Sequence, residues 1–187
     1  AANALDIGTG TGLIALMLAQ RNNLLHIHAI DIDADATKQA IENVEQSRFS
    51  QNIRVKQTSI QDFVSDCTYD LIVSNPPFFS NSLESPDQQR TMARHTSSLE
   101  AEELISIAVK LLSPQGRISL IYPFDYKEAL ITLAFKYNLT VSRITNVYPT
   151  PESTPKRILI ELDKRKKEAV ENDLIIETQR HQYSPEF

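Results

Sequence analysis

The sequence has few of the residues that cross-link a chain or hold a metal ion. Of its 187 residues one is cysteine, Cys67, four are histidine and none is tryptophan. A single cysteine excludes an internal disulfide framework and is typical of a reducing compartment, so we expect a cytoplasmic protein. The histidines and the cysteine are widely scattered along the chain, and we therefore expect no metal site.

Long apolar runs and an excess of basic residues are also missing. The longest uncharged apolar stretch, Gly12–Ala19, is far shorter than the roughly 20 residues that cross a bilayer, so we expect no membrane contact. Lys and Arg number 19 against 24 Asp and Glu, a net charge of -5. The surface as a whole therefore does not attract nucleic acid, and an RNA substrate would need a local basic patch. None of these properties indicates an oligomeric state.

The composition is that of a folded globular domain, with 41% hydrophobic and 23% charged residues. The length suits one domain, which we expect to cover residues 1–187. The chain begins with Ala rather than Met, and strand-like residues begin at Ala4. We therefore expect that the domain lacks an N-terminal segment and the extreme C-terminus.

Short β-rich runs alternate with helical patterns, which predicts an α/β fold with a mostly parallel sheet. Seven runs rich in apolar and β-branched residues predict strands: Asn3–Asp6, His26–Asp31, Ile53–Gln57, Tyr69–Ser74, Arg117–Tyr122, Leu139–Val147 and Arg157–Asp163. Four segments predict helices: Leu13–Gln20, Ala34–Gln46, Leu99–Leu112 and Asp125–Tyr137. The last two strands are joined by a proline-rich link without room for a helix, so they should form a C-terminal antiparallel hairpin.

Three of the four glycines, Gly8, Gly10 and Gly12, fall within five residues, directly after the first strand and before the first helix. Glycine there permits positive φ and a close approach of a ligand to the backbone, and the helix N-terminus adds free N–H groups. The dinucleotide fingerprint Gly-x-Gly-x-x-Gly would place its third glycine at position 13, which is not glycine. The spacing therefore disfavours a nicotinamide-dependent oxidoreductase.

Two carboxylates end the first two strands. Asp6 lies two residues before Gly8, where it suits an ammonium group, as in the methionine part of S-adenosylmethionine, better than a pyrophosphate. Asp31 ends the second strand and can accept hydrogen bonds from both hydroxyls of a ribose. Together with the glycine turn they predict a nucleoside-containing, ammonium-bearing ligand at this sheet edge.

A second motif, Asn75-Pro76-Pro77-Phe78, follows the fourth strand directly. Two prolines cannot continue a central strand, but they stiffen a loop. They would hold the Asn75 amide oxygen and the Pro76 carbonyl as two converging acceptors for a planar –NH2 group. Phe78 can stack on the ring that carries this amino group. A methyl sulfonium is already a strong electrophile, so positioning rather than a strong base should provide most of the rate enhancement.

The combination of Asp6-x-Gly8-x-Gly10-x-Gly12 with the Asn-Pro-Pro-Phe loop resembles the amino-methylating S-adenosylmethionine-dependent methyltransferases. Within that superfamily it most resembles the tRNA adenine-N6 methyltransferases that modify adenosine 37 of valine tRNA. The similarity also covers LDIGTGTGLIALMLAQ, Asp70–Phe79, Gln89–Leu99 and Tyr183-Ser184. The resemblance implies a Rossmann-like class I methyltransferase fold, S-adenosylmethionine as the cofactor and tRNA as the substrate.

The resemblance also implies roles for particular residues. It assigns the amino-group and base contacts to the loop residues Asn75, Pro76, Pro77 and Phe78. It assigns the cofactor contacts to Asp6, Gly8, Gly10, Gly12, Asp31, Ser59 and Ile60. The last two depart from the family pattern, which often has an acidic residue after the third strand to meet the cofactor's adenine amino group; here Asp62 is close. Related enzymes also have an upstream segment that folds over the cofactor.

Three potential cations, Arg90, Arg94 and His95, follow the loop. Beside a base pocket they could hold the phosphates that flank a flipped base, although an ordinary exposed loop explains them equally well. The Lys164–Lys167 run is more typical of a solvated surface than of an RNA contact.

Alternatives to a tRNA methyltransferase stay open at this point. The Asn-Pro-Pro block is shared with the glutamine methyltransferases of release factors and with rRNA and DNA adenine-N6 methyltransferases, because a side-chain amide needs the same two acceptors. A non-enzymatic alternative is a decayed methyltransferase that only binds nucleoside or RNA. The intact loop disfavours that alternative.

Overall fold

The structure is a computed structural model that describes residues 2–76, 100–179 and 181–187. In that part of the chain the strands are β1 (Asn3–Ile7), β2 (His26–Asp31), β3 (Ile53–Gln57), β4 (Tyr69–Ser74), β5 (Leu112–Pro123), β6 (Thr140–Tyr148), β7 (Arg157–Asp163), β8 (Val170–Ile175), β9 (Glu177–Gln179) and β10 (Gln182–Tyr183). The helices are α1 (Leu13–Arg21), α2 (Ala34–Glu45), α3 (residues 100–111) and α4 (Lys127–Lys136), with a 3-10 turn at Phe124–Tyr126 before α4. No helix in the described ranges is long and apolar enough to cross a membrane.

The chain divides into two compact units, each made of two segments. The first comprises Ala1–Pro76 and Ile107–Ser119, and the second Pro77–Ser106 and Leu120–Phe187. Both α3 and β5 continue from one unit into the other. The expectation of a single domain over residues 1–187 stays a prediction.

The sheet of the first unit has the strand order β3-β2-β1-β4-β5. β1 pairs in parallel with β2 and with β4, and β2 pairs in parallel with β3. In register, Ile7 lies opposite both Ile30 and Ser74. Because parallel strands end at the same edge of a sheet, the segments that follow β1, β2, β3 and β4 meet there.

Small apolar side chains let the helices of the first unit approach the sheet closely. α1 presents Ala15 and Ala19, both without solvent exposure, to a sheet face made of residues such as Ala4 and Ile27. α2 begins where the Asp33 side chain accepts a hydrogen bond from the Ala36 amide at 2.7 Å, which satisfies one of the free N–H groups of its first turn. The packing fixes both helices relative to the strand ends.

The second unit contains the antiparallel hairpin that the sequence predicts. β6 pairs antiparallel with β7, from Thr140 opposite Asp163 to Val147 opposite Arg157. The strand order in this unit is β5-β7-β6-β8. The predicted fold class, α/β with a mostly parallel sheet and a C-terminal hairpin, is confirmed.

An eighth strand, β8, was missed by the sequence analysis. The sheet has eight strands within the described residues, and β8 pairs in parallel with β6. Most of β8 is polar and exposed, so it lacks the apolar alternation that marks a half-buried strand. Side chains of β6 hold it: Thr145 donates to Asn172, and Asn146 donates to Asp173 and Glu171.

β5 starts at Leu112, five residues before the predicted Arg117, although α3 ends at residue 111 as expected. The Ser113–Gly116 stretch, which has the composition of a turn, belongs to the strand. Gly116 explains why: a Cβ at that position would lie 2.6 Å from the Tyr69 carbonyl oxygen. Glycine here marks a close approach between two backbones rather than a chain reversal.

Candidate active site

The glycine turn joins the end of β1 to α1 and has an unusual backbone. Gly8, Gly10 and Gly12 have φ of 70°, 56° and 84°, all in the left-handed region that favours glycine. The amides of Gly8 and Thr9 both donate to the Ile30 carbonyl, at 2.9 and 3.0 Å, which ties the turn to β2. No described atom lies within 4 Å of a Cβ placed on Gly8 or Gly10. The turn thus leaves open space directly beside its backbone.

Gly12 differs from the other two glycines. A Cβ on Gly12 would lie 3.3 Å from the Cβ of Ala40, so this glycine lets α2 pack against the start of α1. Its carbonyl accepts the Leu16 amide at 3.0 Å, the first hydrogen bond of the helix. The structure gives Gly12 a packing role, and its predicted cofactor contact stays a prediction.

Asp6 is completely buried beneath the turn. Its Oδ2 accepts the Thr9 hydroxyl at 2.6 Å and the Ala15 amide at 3.1 Å. No donor among the described residues reaches its buried Oδ1. Burial raises the pKa of Asp6 to about 6, against the lowering effect of the two hydrogen bonds. Asp6 therefore both locks the turn and keeps one acceptor without a partner.

Asp31 connects the end of β2 to the same turn. Its Oδ2 accepts the Gly10 amide at 2.8 Å, and its Oδ1 accepts the Asp33 amide at 3.0 Å. Each carboxylate oxygen has a second lone pair, so both can still accept from a ligand. The two backbone bonds fix the carboxylate in place at the sheet edge.

Ser59 and Ile60 lie just after β3, and both are partly buried. The Thr58 amide donates to the Asp31 carbonyl at 2.8 Å, which holds this segment next to the end of β2. The Ser59 hydroxyl donates to Asp62 Oδ2 at 2.7 Å and accepts the Asp62 amide at 3.1 Å. Ser59 thus orients the exposed carboxylate of Asp62.

Asn75 and Pro76 follow β4 at this edge. Ser74, the last residue of β4, donates its hydroxyl to the Ile7 carbonyl at 2.8 Å. Because Ile7 and Ser74 are register partners, Gly8 and Asn75 leave neighbouring strands at the same level. Asn75 is exposed. The predicted residues Pro77, Phe78, Arg90, Arg94 and His95 lie outside the described residues.

Two buried hydroxyls that organise the site were not singled out from the sequence. Thr9 holds Asp6, and Ser74 holds the end of β4 against β1. Both are small residues in or beside motifs that were assigned for other reasons, and neither has a spacing that marks it. Only their hydrogen bonds in the folded structure identify Thr9 and Ser74 as residues that organise the site.

Comparison with known proteins agrees with this arrangement. A family model described as the methyltransferase small domain matches residues 1–143. A tRNA1(Val) (adenine(37)-N6)-methyltransferase from Parabacteroides distasonis is 48% identical over 98% of this chain and 78% of its own length. One from Phocaeicola vulgatus is 46% identical over 100% of this chain and 80% of its own length.

This chain belongs to the tRNA1(Val) (adenine(37)-N6)-methyltransferase family. In fold it is a class I methyltransferase. A crystal structure of a predicted O-methyltransferase from Agrobacterium tumefaciens has a TM-score of 0.75 at 17% identity, covering 98% of this chain and 85% of that one. The resemblance drawn from the two motifs is confirmed.

The site fits the cofactor of this methyltransferase family. The open space beside Gly8 and Gly10 is a cradle that side chains would fill. The unpartnered Oδ1 of Asp6 suits an ammonium donor, and the free lone pairs of Asp31 suit ribose hydroxyls. Among the described residues, no three His, Cys, Asp or Glu side chains lie close enough to share a metal ion.

Proposed function

We infer that this chain transfers a methyl group from S-adenosylmethionine to the N6 amino group of adenine in tRNA, at adenosine 37 of valine tRNA. The observation that carries this function is the register pair Ile7–Ser74, which places the glycine turn and Asn75 side by side at one sheet edge. The identity of 46–48% with named enzymes of this activity supports the substrate.

Five residues would hold the cofactor. Asp6 offers its free Oδ1 to the ammonium group, Asp31 accepts the ribose hydroxyls, and Gly8 and Gly10 let the ligand approach the backbone. Asp62, oriented by Ser59, accepts the adenine amino group. When bound, S-adenosylmethionine supplies an electrophilic methyl group on a positively charged sulfur.

Asn75 and Pro76 would position the target amino group. The side-chain oxygen of Asn75 and the carbonyl of Pro76 accept its two hydrogens, which directs the nitrogen lone pair towards the methyl group. No general base needs to deprotonate the amine first: the N–C bond would form as the methyl–sulfur bond breaks, S-adenosylhomocysteine would be the leaving product, and the proton would then pass to solvent. Fixed acceptors of this kind typically contribute two to three powers of ten to a rate, roughly as oxyanion-hole donors do.

The residues outside the described ranges complete the proposal. Phe78, after Pro77, would stack on the flipped adenine, and Arg90, Arg94 and His95 would contact flanking phosphates. The enzyme would act in the cytoplasm, where tRNA is modified. These assignments rest on the sequence.

The test is methyl transfer from labelled S-adenosylmethionine to bulk tRNA that lacks this modification, followed by nucleoside analysis. We expect labelled N6-methyladenosine. A parallel reaction on valine tRNA with adenosine 37 replaced by guanosine is the matched control and should give no label.

Two other outcomes would change the assignment. Label in adenines of the position-37 control would leave the reaction intact but overturn the position. No label in tRNA, together with intact cofactor binding, would direct the search to rRNA or to a release-factor glutamine.

A further inference from the structure

An open cavity at the surface of the first unit, lined mostly by exposed residues, lies at the end of the parallel strands opposite the glycine turn. Its volume is about 500 Å³, within the range of small-molecule sites, and it is lined by Gln20, Arg21, Asn23, Arg48, Phe49 and Asn52. Asn23 and Asn52 lie just before β2 and β3, whereas Asp31 is the last residue of β2 and Ser59 lies just after β3. A six-residue strand spans about 17–20 Å, so this cavity is separate from the methyl-transfer site.

The chemistry of the lining is one-sided. Two arginines and three residues with carboxamide side chains line the cavity, and none of its lining residues is acidic. Within the part of the chain that the structure describes, no carboxylate pairs with Arg21 or Arg48. In a chain with a net charge of -5, two guanidiniums without counter-ions form a local anion site. The planar fork of a guanidinium matches a phosphate in two hydrogen bonds.

The cavity wall is fixed by the surrounding structure. Phe49 packs against the core cluster under α1 and α2, and the Arg48 guanidinium lies 5.0 Å from the centre of its ring. Asn52 joins the segments before β2 and β3, since its amide donates to the carbonyls of Asn23 and Leu25 at 2.8 and 3.2 Å. Such contacts already restrict these side chains, so binding a phosphate would lose less side-chain conformational entropy.

We propose that this cavity, the distal basic cavity, binds a backbone phosphate of the RNA substrate at a point remote from the methylated adenine. The identity of the RNA rests on the proposed function. A free phosphate ion offers the same chemistry, but it is much smaller than the cavity, whereas a nucleotide of a chain fills it and places its sugar against the carboxamides. A folded tRNA extends well beyond 20 Å and can reach both sites.

The test compares two double variants on two substrates. Arg21→Gln with Arg48→Gln removes two charges from the cavity. Lys38→Gln with Lys110→Gln removes two charges from exposed positions on α2 and α3. Each is assayed for methyl transfer to full-length tRNA and to a trinucleotide centred on the target adenosine, which is too short to span the roughly 20 Å to the distal basic cavity. Thermal melting checks that both variants fold.

We expect the arginine variant to raise KM for full-length tRNA roughly tenfold with kcat unchanged, and to make the log–log salt slope shallower by about 0.7 to 0.9, the change for one phosphate contact. KM for the trinucleotide and the cofactor Kd should stay the same, and the lysine variant should match the wild type. An unchanged KM for tRNA in the arginine variant, or an equal rise in the lysine variant, would overturn the proposal.

A direct titration separates the two phosphate sources. Inorganic phosphate is added to the wild-type protein while the arginine side-chain N–H signals are followed by NMR. Saturation of the Arg21 and Arg48 signals together with an unchanged KM for tRNA would assign the cavity to free phosphate and contradict the RNA contact. Failure of the wild type to methylate any tRNA would instead count against the proposed function, because this inference concerns only the difference between variants.

Discussion

Two fully buried aspartates show how differently one side chain can be used. Asp6, in the turn after β1, has a pKa raised to about 6 and an Oδ1 that no described donor reaches. Asp163, at the end of β7, is equally buried, but its oxygens accept hydrogen bonds from Arg165 and Lys167. Burial raises the pKa of Asp163, yet these cations outweigh burial and lower that pKa to about 2.

In the proposed function, this difference separates a ligand-binding carboxylate, Asp6, from a carboxylate in a structural ion pair, Asp163. The cations of Asp163 come from the next turn of its own chain, so nothing further is needed to stabilise its charge. Among the described residues, two neutral donors alone stabilise the charge of Asp6, so a cationic group of a ligand would stabilise it further. Burial alone does not mark a binding carboxylate; an incomplete set of donors does.

The largest effect on activity should come from Asn75→Ala, a change at the proposed methyl-transfer site that also contains Asp6. We expect kcat to fall about 10³-fold while cofactor Kd stays within roughly twofold, because the proposed role of Asn75 is to contact the target amine rather than the cofactor. Single-turnover methyl transfer and calorimetric cofactor titration measure the two quantities. Asn172→Ala, an exposed asparagine of β8, is the control. Equal losses in kcat and in cofactor affinity would remove Asn75 from its assigned role.

Asp6→Asn should separate stability from binding. A raised folded pKa means that Asp6 contributes stability below pH 4, which is lost as the pH rises through about 6. Removing the charge should therefore increase the free energy of unfolding at pH 7 by about 1 to 3 kcal/mol, while weakening cofactor binding about 10- to 100-fold. Urea unfolding and cofactor titration check both signs. If Asp6→Asn were less stable than the wild type at pH 7 and equally stable at pH 4, the raised pKa of Asp6 in the folded protein would be wrong.

The same carboxylate predicts how cofactor affinity depends on pH. Because an ammonium ligand binds the charged form, affinity should fall roughly tenfold between pH 7 and pH 5 as Asp6 takes up its proton. Calorimetry at several pH values measures this change. Asp6→Asn should give a flat profile over that range, and a slope that survives in this variant would have to come from another group.

Gly10→Ala and Gly12→Ala should divide the glycine turn into two functions. Gly10→Ala should cost about 1–2 kcal/mol of stability because alanine is strained in the left-handed region. It should also weaken cofactor binding roughly tenfold, because the added Cβ enters the open space proposed for the cofactor. A Cβ on Gly12 meets Ala40 instead, so this variant should lose stability with little further change in Kd. Thermal unfolding and cofactor titration distinguish them. If Gly12→Ala lost more cofactor affinity than Gly10→Ala, the assignment of a binding role to Gly10 and a packing role to Gly12 would be wrong.

The smallest effect should come from Asp163→Asn. The folded pKa of Asp163 is lowered, so its stabilisation is present above pH 4 and is lost as the pH falls towards 2. The two cations are partly exposed, which weakens the pairs, and we expect a loss of about 1 to 2 kcal/mol at pH 7 with unchanged methyl transfer. A measurable change in cofactor affinity in Asp163→Asn would contradict the purely structural role given to Asp163.

Much of the fold could be predicted from the chain because its signals are local. Apolar runs such as Tyr69–Ser74 and the glycine cluster after β1 set the strand boundaries within one or two residues. β8 could not be predicted, since its stability comes from polar side chains of β6 that are distant in sequence. The early start of β5 also depends on a distant contact, that of Gly116 with the Tyr69 backbone.

The sequence by itself determined the reaction class, because Asp6, the glycine turn and Asn75-Pro76 are short motifs whose chemistry depends on residue type and spacing. The tertiary structure decided which acceptors stay free for a ligand. Thr9 and the Ala15 amide occupy Oδ2 of Asp6, and Arg165 and Lys167 neutralise Asp163. The physical reason is that a buried charge depends on the donors around it, and those donors are brought together only when the chain folds.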